Sequence, residues 1–444
     1  MTEKRYVTRQ VKRTLAMIIL IALVIVTGCS GAMQNKAGYN GSANEQSEAE
    51  RDHAGSDNTL PNDDDAINDG SDDAEPPPED PITAQIRNMT LEEKIGQLMI
   101  IGLNGTEPDA FAKEMIQMHK VGGFILYGDN IDNAEQTLAL LNGLKELNAA
   151  EDGIPLLLSV DQEGGRVSRL PDEYRPLPKA MSVGSKDDER YTRLTGQALG
   201  IAVKSLGFNM NFAPVLDINS NPKNPVIGDR AYGTDAASVT EHGMLAMEGI
   251  RSEGVIPVVK HFPGHGDTSV DSHIDLPVVG KSLEQLEQLE LVPFREAIRQ
   301  DADVIMVAHL LLPQLDKDYP SSLSKEIVTG LLREQLQYDG VVVTDDMTMG
   351  GITDGYGVAE AAVKSLQAGT DLILVGHNNK DQLAAWNAIK QSIEDGQLSE
   401  QRLDQSVDRI MRLKQKYELN DGSIESIHLD AINEVIEEAV NAGQ

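Results

Sequence analysis

Two short stretches concentrate the side chains able to do chemistry. In the first, Lys260-His261-Phe262-Pro263-Gly264-His265-Gly266-Asp267-Thr268 is followed by Asp271-Ser272-His273, so three of the nine histidines fall within thirteen positions. Asp271 and His273 stand two apart on a Gly-rich loop, a spacing that lets a carboxylate orient or polarise an imidazole for general acid/base work. A metal site is the minority reading. His261, His265 and His273 with Asp267 or Asp271 would offer nitrogen and oxygen ligands, but Pro263-Gly264 breaks the helix that would align His261 and His265 on one face. The second stretch is Val341-Val342-Val343-Thr344-Asp345-Asp346-Met347-Thr348-Met349-Gly350, where two carboxylates directly follow an apolar run. They suit a nucleophile and a supporting partner. One of them could instead cap the next helix, and the residues alone leave open which Asp attacks.

These groups need a frame, and the chain counts one out. Apolar runs of strand length recur at Leu98–Leu103, Gly123–Tyr127, Pro155–Val160, Met210–Leu216, Val255–Val259, Val304–Ala308, Gly340–Val343 and Asp371–Val375. Most are continuous rather than alternating, as parallel strands buried on both faces require. Helical patterns lie between several of them, at Glu189–Leu206, Ser238–Ser252, Leu283–Arg299, Val358–Ala368 and Lys380–Glu394. A capped helix start at Thr90, with Glu92 and Glu93 in its first turn, precedes the series. Eight strands alternating with helices predict an α/β fold, a single (β/α)8 TIM-type barrel. The alternative, a doubly wound open sheet, lacks its Gly-x-Gly-x-x-Gly turn. Charged and imidazole groups collect where these runs end: Asp161, Asp217, Lys260-His261, His309, Asp345-Asp346 and His377. In a barrel those ends converge on one face, where barrel enzymes keep their chemistry. So many titratable groups on one rim favour catalysis over binding alone.

The N-terminus reads as an address and a tether. Lys4, Arg5, Arg9, Lys12 and Arg13 precede an unbroken apolar run from Leu15 to Val26. Its twelve residues span about 18 Å as a helix, short of the roughly 30 Å of a bilayer core, so residues 1–28 read as a secretory signal peptide. The run ends in Val26-Thr27-Gly28-Cys29, which resembles the lipobox of bacterial lipoproteins, with Cys29 as the lipidated residue. Residues 29–81 hold little that could pack and are rich in acids, Ser, Asn and Pro, so they are expected to form a disordered linker. The folded part is then 82–444, a barrel with a C-terminal helical tail. Overall, 38 basic and 71 acidic side chains give a net charge of −33, which argues against a nucleic-acid partner. The single Cys excludes internal disulfides and any Cys-built zinc site.

Six motifs occur in family order: Met89-Thr90-Leu91-Glu92-Glu93-Lys94-Ile95-Gly96-Gln97-Leu98-Met99, Asp161-Gln162-Glu163-Gly164-Gly165-Arg166-Val167, Gly228-Asp229-Arg230, Lys260 to Gly266, Asp271-Ser272-His273 and Thr344-Asp345-Asp346-Met347. Together they resemble the β-N-acetylglucosaminidases of glycoside hydrolase family 3 over roughly residues 82–415, the Asp-x-His loop marking the N-acetylhexosaminidase branch. The resemblance implies Asp345 as the nucleophile of a covalent glycosyl-enzyme, His273 as acid/base and Asp271 as its dyad partner. It implies Asp161, Arg169, Arg230, Lys260 and His261 as holders of sugar hydroxyls. It leaves His265, Asp267 and Asp346 without a ligand contact, as shapers of the loop.

The resemblance further implies an exo-acting, retaining enzyme that removes terminal N-acetylglucosamine from muropeptides or related glycans. It implies no cofactor and no metal; the expectation is a monomer, membrane-anchored and outside the cytoplasm. Because a His acid/base does not repel an anionic acceptor, phosphorolysis on the same site is the alternative. A non-catalytic sugar-binding lipoprotein would explain the tether and the basic rim groups, but not Asp345 together with Asp271 and His273.

Overall fold

The structure, a computed structural model, describes residues 80–272 and 275–444. The expected signal peptide, Cys29, the linker up to residue 79 and the expected acid/base His273 lie outside the described residues.

Eight parallel strands form one sheet: β1 (Met99–Gly102), β2 (Gly123–Leu126), β3 (Leu157–Val160), β4 (Met210–Asn211), β5 (Ile256–Phe262), β6 (Val304–Val307), β7 (Val341–Thr344) and β8 (Ile373–Val375). Neighbours in the chain are neighbours in the sheet, and β8 pairs with β1. A parallel bridge between Val343 and Leu372 joins the remaining two edges, which closes the sheet into a barrel. Every strand residue is buried, so the continuous apolar runs are the imprint of a sheet covered on both faces.

Helices fill the connections as the sequence predicts. The capping box at Thr90 is present: its N–H donates to Glu93 Oε2 at 2.7 Å and its Oγ1 accepts from Glu93 N at 3.3 Å. Helix Glu189–Leu206 runs from an Asp188 cap to Gly207, whose φ of 106° ends it in a conformation that costs glycine little.

Two elements depart from expectation. The run Met210–Leu216 pairs regularly only at Met210–Asn211, because Pro214 has no N–H to give a ladder. The single helix expected over Leu283–Arg299 is two, Leu283–Gln288 and Leu291–Arg299. Pro293 accounts for the break, since its ring would meet the carbonyl of Leu289 in a continuous helix.

The face at the N-terminal ends of the strands is locked by ion pairs. Asp371, fully buried ahead of β8, faces Arg333, Arg402 and Arg409 and accepts from Ser406 Oγ at 2.8 Å and Val342 N at 3.0 Å. Burial opposes its charge, but the three guanidiniums outweigh it and hold the carboxyl below its ordinary range. The chain enters the barrel on this same face, where Asp80 pairs with Arg412 of helix Glu400–Lys416.

Candidate active site

At the opposite face the strand ends surround a cavity of about 380 Å³. Of the residues marked by the sequence, Asp161, Arg169, Arg230, Lys260, His261, Asp271 and Asp345 all line it. They come from the ends of four strands, β3, β4, β5 and β7, and the loops that follow them, and the barrel is what brings them together.

The turn after β3 is shaped by two glycines. Gly164 and Gly165 have φ of 88° and 56°, and a Cβ at Gly164 would sit 2.4 Å from the Pro178 carbonyl oxygen. Asn211 of β4 pins this turn, exchanging bonds of 3.0 and 2.9 Å with the backbone of Gln162. Gln162 Oε1 in turn accepts from the N–H of Arg169 at 2.7 Å. The Arg169 guanidinium donates to the Ser168 carbonyl and, among the described residues, pairs with no carboxylate, which leaves it available to a ligand.

β5 supplies both Lys260 and His261. A regular strand sends neighbours to opposite faces, but the register against β6 shifts between Val259 and Phe262, and such an irregularity re-aims side chains. The peptide between the two residues is cis. Lys260 Nζ, 2% exposed, reaches Asp161 Oδ1 at 2.5 Å and Glu163 Oε1 at 2.7 Å. Burial disfavours the ammonium, but Asp161 and Glu163 outweigh it and raise its pKa. His261 Nδ1 lies 2.6 Å from Asp217 Oδ2, which also accepts the backbone N–H of His261 through Oδ1 at 3.3 Å and that of His265 at 2.6 Å. Burial works against Asp217's charge, but His261 and His265 keep its pKa low. A carboxylate in this position fixes the proton on His261 Nδ1 and leaves Nε2 as an acceptor, 3.4 Å from Arg230 Nη2.

His265 does shape the loop. Its Nε2 meets Ser272 Oγ at 3.0 Å and its Nδ1 meets Thr268 Oγ1 at 2.9 Å, so both nitrogens tie the loop to itself. Burial pushes its pKa down to about 4, so the ring is neutral over the working range of most enzymes. Ser272 is also held through its carbonyl by the N–H of Gly351 at 3.0 Å. The strip carrying Asp271 is thereby docked against the loop that carries Asp345. Asp267 pairs with Lys281 at 3.0 Å.

The two aspartates after β7 separate by role. Asp346 is committed: Oδ1 accepts from Thr348 N at 3.0 Å and Gly376 N at 2.9 Å, and Oδ2 from Tyr127 Oη at 3.2 Å. Neither caps the next helix, Gly350–Thr353, which begins after Met349; Asp346 closes a local turn instead. Asp345 is anchored by its N–H to the Val307 carbonyl at 3.0 Å and accepts Asp346 N at 2.9 Å. Tyr127 stacks on His377 with ring centroids 4.4 Å apart, and burial, with Asp346 adding to it, pushes its phenol pKa well up.

No role is assigned from the sequence to three groups that order this site: Glu163, quoted only within a motif, Asp217, named only among the groups at the strand ends, and Tyr127, named only as the end of a strand run. Each stands at or just beyond the end of a strand run, a signal that marks Asp217 but does not say which partner it faces.

A barrel with paired carboxylates after β7, a Lys-His pair ending β5 and an Asp-bearing turn after β3 defines a family of enzymes. The model of the glycosyl hydrolase family 3 N-terminal domain matches residues 90–413, and the chain belongs to that family. The relatives that it resembles include β-hexosaminidases. It is 35% identical over 334 residues to β-hexosaminidase A of Pseudoalteromonas piscicida, covering 70% of this chain and 56% of that one. It is 37% identical over 330 residues to β-hexosaminidase LpqI of Mycobacterium tuberculosis, covering 72% and 82%. The chain thus spans little more than half of the first relative and most of the second. Among solved structures, a family 3 β-N-acetylglucosaminidase from Paenibacillus sp. str. FPU-7 superposes with a TM-score of 0.77 at 43% identity, covering 79% of this chain and 68% of that one.

Proposed function

We propose that the protein is an exo-acting, retaining β-N-acetylglucosaminidase that releases terminal N-acetylglucosamine from cell-wall muropeptides or related glycans. The observation that carries this reading is the convergence of Asp345, Asp271 and the Lys260–Arg230 pair on one cavity. In the proposed mechanism Asp345 attacks the anomeric carbon to form a glycosyl-enzyme. His273, oriented by Asp271, protonates the leaving oxygen and then takes a proton from water. Asp161, Arg169, Arg230, Lys260 and His261 hold the sugar's hydroxyls through charge-assisted hydrogen bonds. Asp346, held by Tyr127, Gly376 and Thr348, keeps the β7 loop in place and does not attack.

The test is hydrolysis of an aryl N-acetyl-β-glucosaminide by the protein and by Asp345→Ala. Loss of at least about 10³-fold in kcat is expected for a nucleophile, together with a covalent adduct of a fluorinated sugar on Asp345 in peptide mass spectrometry. An inactive parent protein would overturn the enzymatic reading. Equal activity in both would overturn the nucleophile assignment.

The same proposal places the protein outside the cytoplasm as a monomer, with residues 1–28 removed as a signal, Cys29 lipidated and residues 29–81 serving as a tether to a barrel over 82–444. A Cys29→Ser protein that still partitions into detergent would overturn the anchor.

A further inference from the structure

Glu163 is not among the residues lining the cavity, yet two of the groups that do line it are anchored on its carboxylate. Arg230 donates to it twice, Nε to Oε2 and Nη2 to Oε1, both at 2.8 Å. Lys260 Nζ reaches the same Oε1 at 2.7 Å. The Glu163 side chain is 5% exposed. Burial would raise its pKa, but Arg230 and Lys260 outweigh that and hold it far below the carboxylate range.

Counting donors shows what this leaves. An ammonium has three hydrogens and a guanidinium five. Lys260 gives one to Asp161 and one to Glu163. Arg230 gives two to Glu163, faces His261 Nε2 with a third, and gives a fourth to the Val226 carbonyl at 3.3 Å. Among the described residues, each cation therefore keeps a single hydrogen for a ligand. The ligand of the proposed reaction is an uncharged sugar, which reads hydrogen-bond direction, whereas two unbalanced buried cations would favour an anion.

We propose that Glu163 is a positioning residue for glycoside binding. It fixes the Arg230 guanidinium and the Lys260 ammonium in one relative geometry and balances their charge, so that the remaining hydrogen on each is directed at a sugar hydroxyl. The inference rests on the glycosidase reading of the cavity.

The test compares the parent protein with Glu163→Gln on an aryl N-acetyl-β-glucosaminide and on its 3-, 4- and 6-deoxy analogues. In Glu163→Gln one carboxylate oxygen becomes an NH₂ group that opposes Arg230 or Lys260. The parent loses kcat/KM on removal of each hydroxyl that these cations bind. In the variant, kcat/KM on the complete sugar is expected to fall about 30-fold or more, and the penalty for at least one missing hydroxyl to shrink by more than about threefold, because the hydrogen that read it is misdirected. A purely structural role would lower the amount of folded enzyme, scale all four substrates alike and leave the penalties unchanged. Penalties all within about threefold of the parent's would overturn the proposal. If Glu163→Gln does not fold, Glu163→Asp, which keeps the charge one methylene shorter, carries the same comparison. A parent protein that turns over none of the four substrates would sink the glycosidase reading, whereas a parent with clear penalties and an unchanged variant would sink only the role of Glu163.

Discussion

His261 and Asp217 illustrate how much of this site depends on single protons. The buried Asp217 carboxylate accepts from His261 Nδ1 and from two backbone N–H groups, so the imidazole keeps a lone pair on Nε2 for Arg230. In Asp217→Asn the side-chain NH₂ would face Nδ1, move the ring proton to Nε2 and set it against the Arg230 donor. A hydrogen bond to a charged group contributes about 1.5–3 kcal/mol, so kcat/KM on an aryl glycoside is expected to fall by about 10- to 100-fold. Steady-state kinetics on protein of verified fold would check this. Asp217 and Glu163 were visible in the sequence only as residues near strand ends. Neither lines the cavity; their importance lies in the partners they face, and a partner from another strand is a property of the barrel, not of local spacing. Asp345, Lys260 and His261 were legible because each follows or ends a buried apolar run within a dense motif.

At the scale of elements, the loops that close the strands decide which side chains meet. Gly376, just after β8, donates its N–H to Asp346 and lies against Tyr127; a Cβ there would sit 2.0 Å from Tyr127 Oη and 2.5 Å from Asp346 Oδ2. Gly376→Ala is therefore expected to force the β2 and β7 ends apart at an overpacking cost of about 1–3 kcal/mol. It should lower both the denaturation midpoint and kcat, and an unchanged kcat would show that the Tyr127–Asp346 contact is dispensable. The eight strands were legible from continuous apolar runs because burial on both faces leaves that pattern in the chain. The ends of β4 and the split of the Leu283–Arg299 helix were not, because a run of apolar residues records burial while Pro214 and Pro293 govern hydrogen bonding within it. The register shift that puts Lys260 and His261 on one cavity left no mark in composition at all.

Over the whole molecule, chemistry and cohesion occupy opposite faces of the barrel. Asp371 and its three arginines sit at the N-terminal strand ends, far from Asp345 in role and on the face that barrels use for stability. Asp371→Ala would leave three guanidiniums without their shared carboxylate, and breaking a buried pair in this way costs about 3–5 kcal/mol. The folded fraction should keep its kcat. The pH dependence has a definite sign: because the folded pKa is depressed, the contribution of Asp371 is complete above the unfolded carboxylate value of about 3.9 and is lost as pH falls through the lower folded value. Denaturant titrations should therefore show a full gap between parent and variant at pH 7 that narrows only below about pH 4. A gap that narrows between pH 7 and 5 would assign the stability to other groups.

The point at which the chain enters the barrel has a consequence for presentation. Asp80 is held by Arg412 on the face remote from the cavity, so the described chain begins at the back of the barrel. A fusion partner joined directly at residue 80 would therefore sit behind the barrel and leave the mouth of the cavity clear.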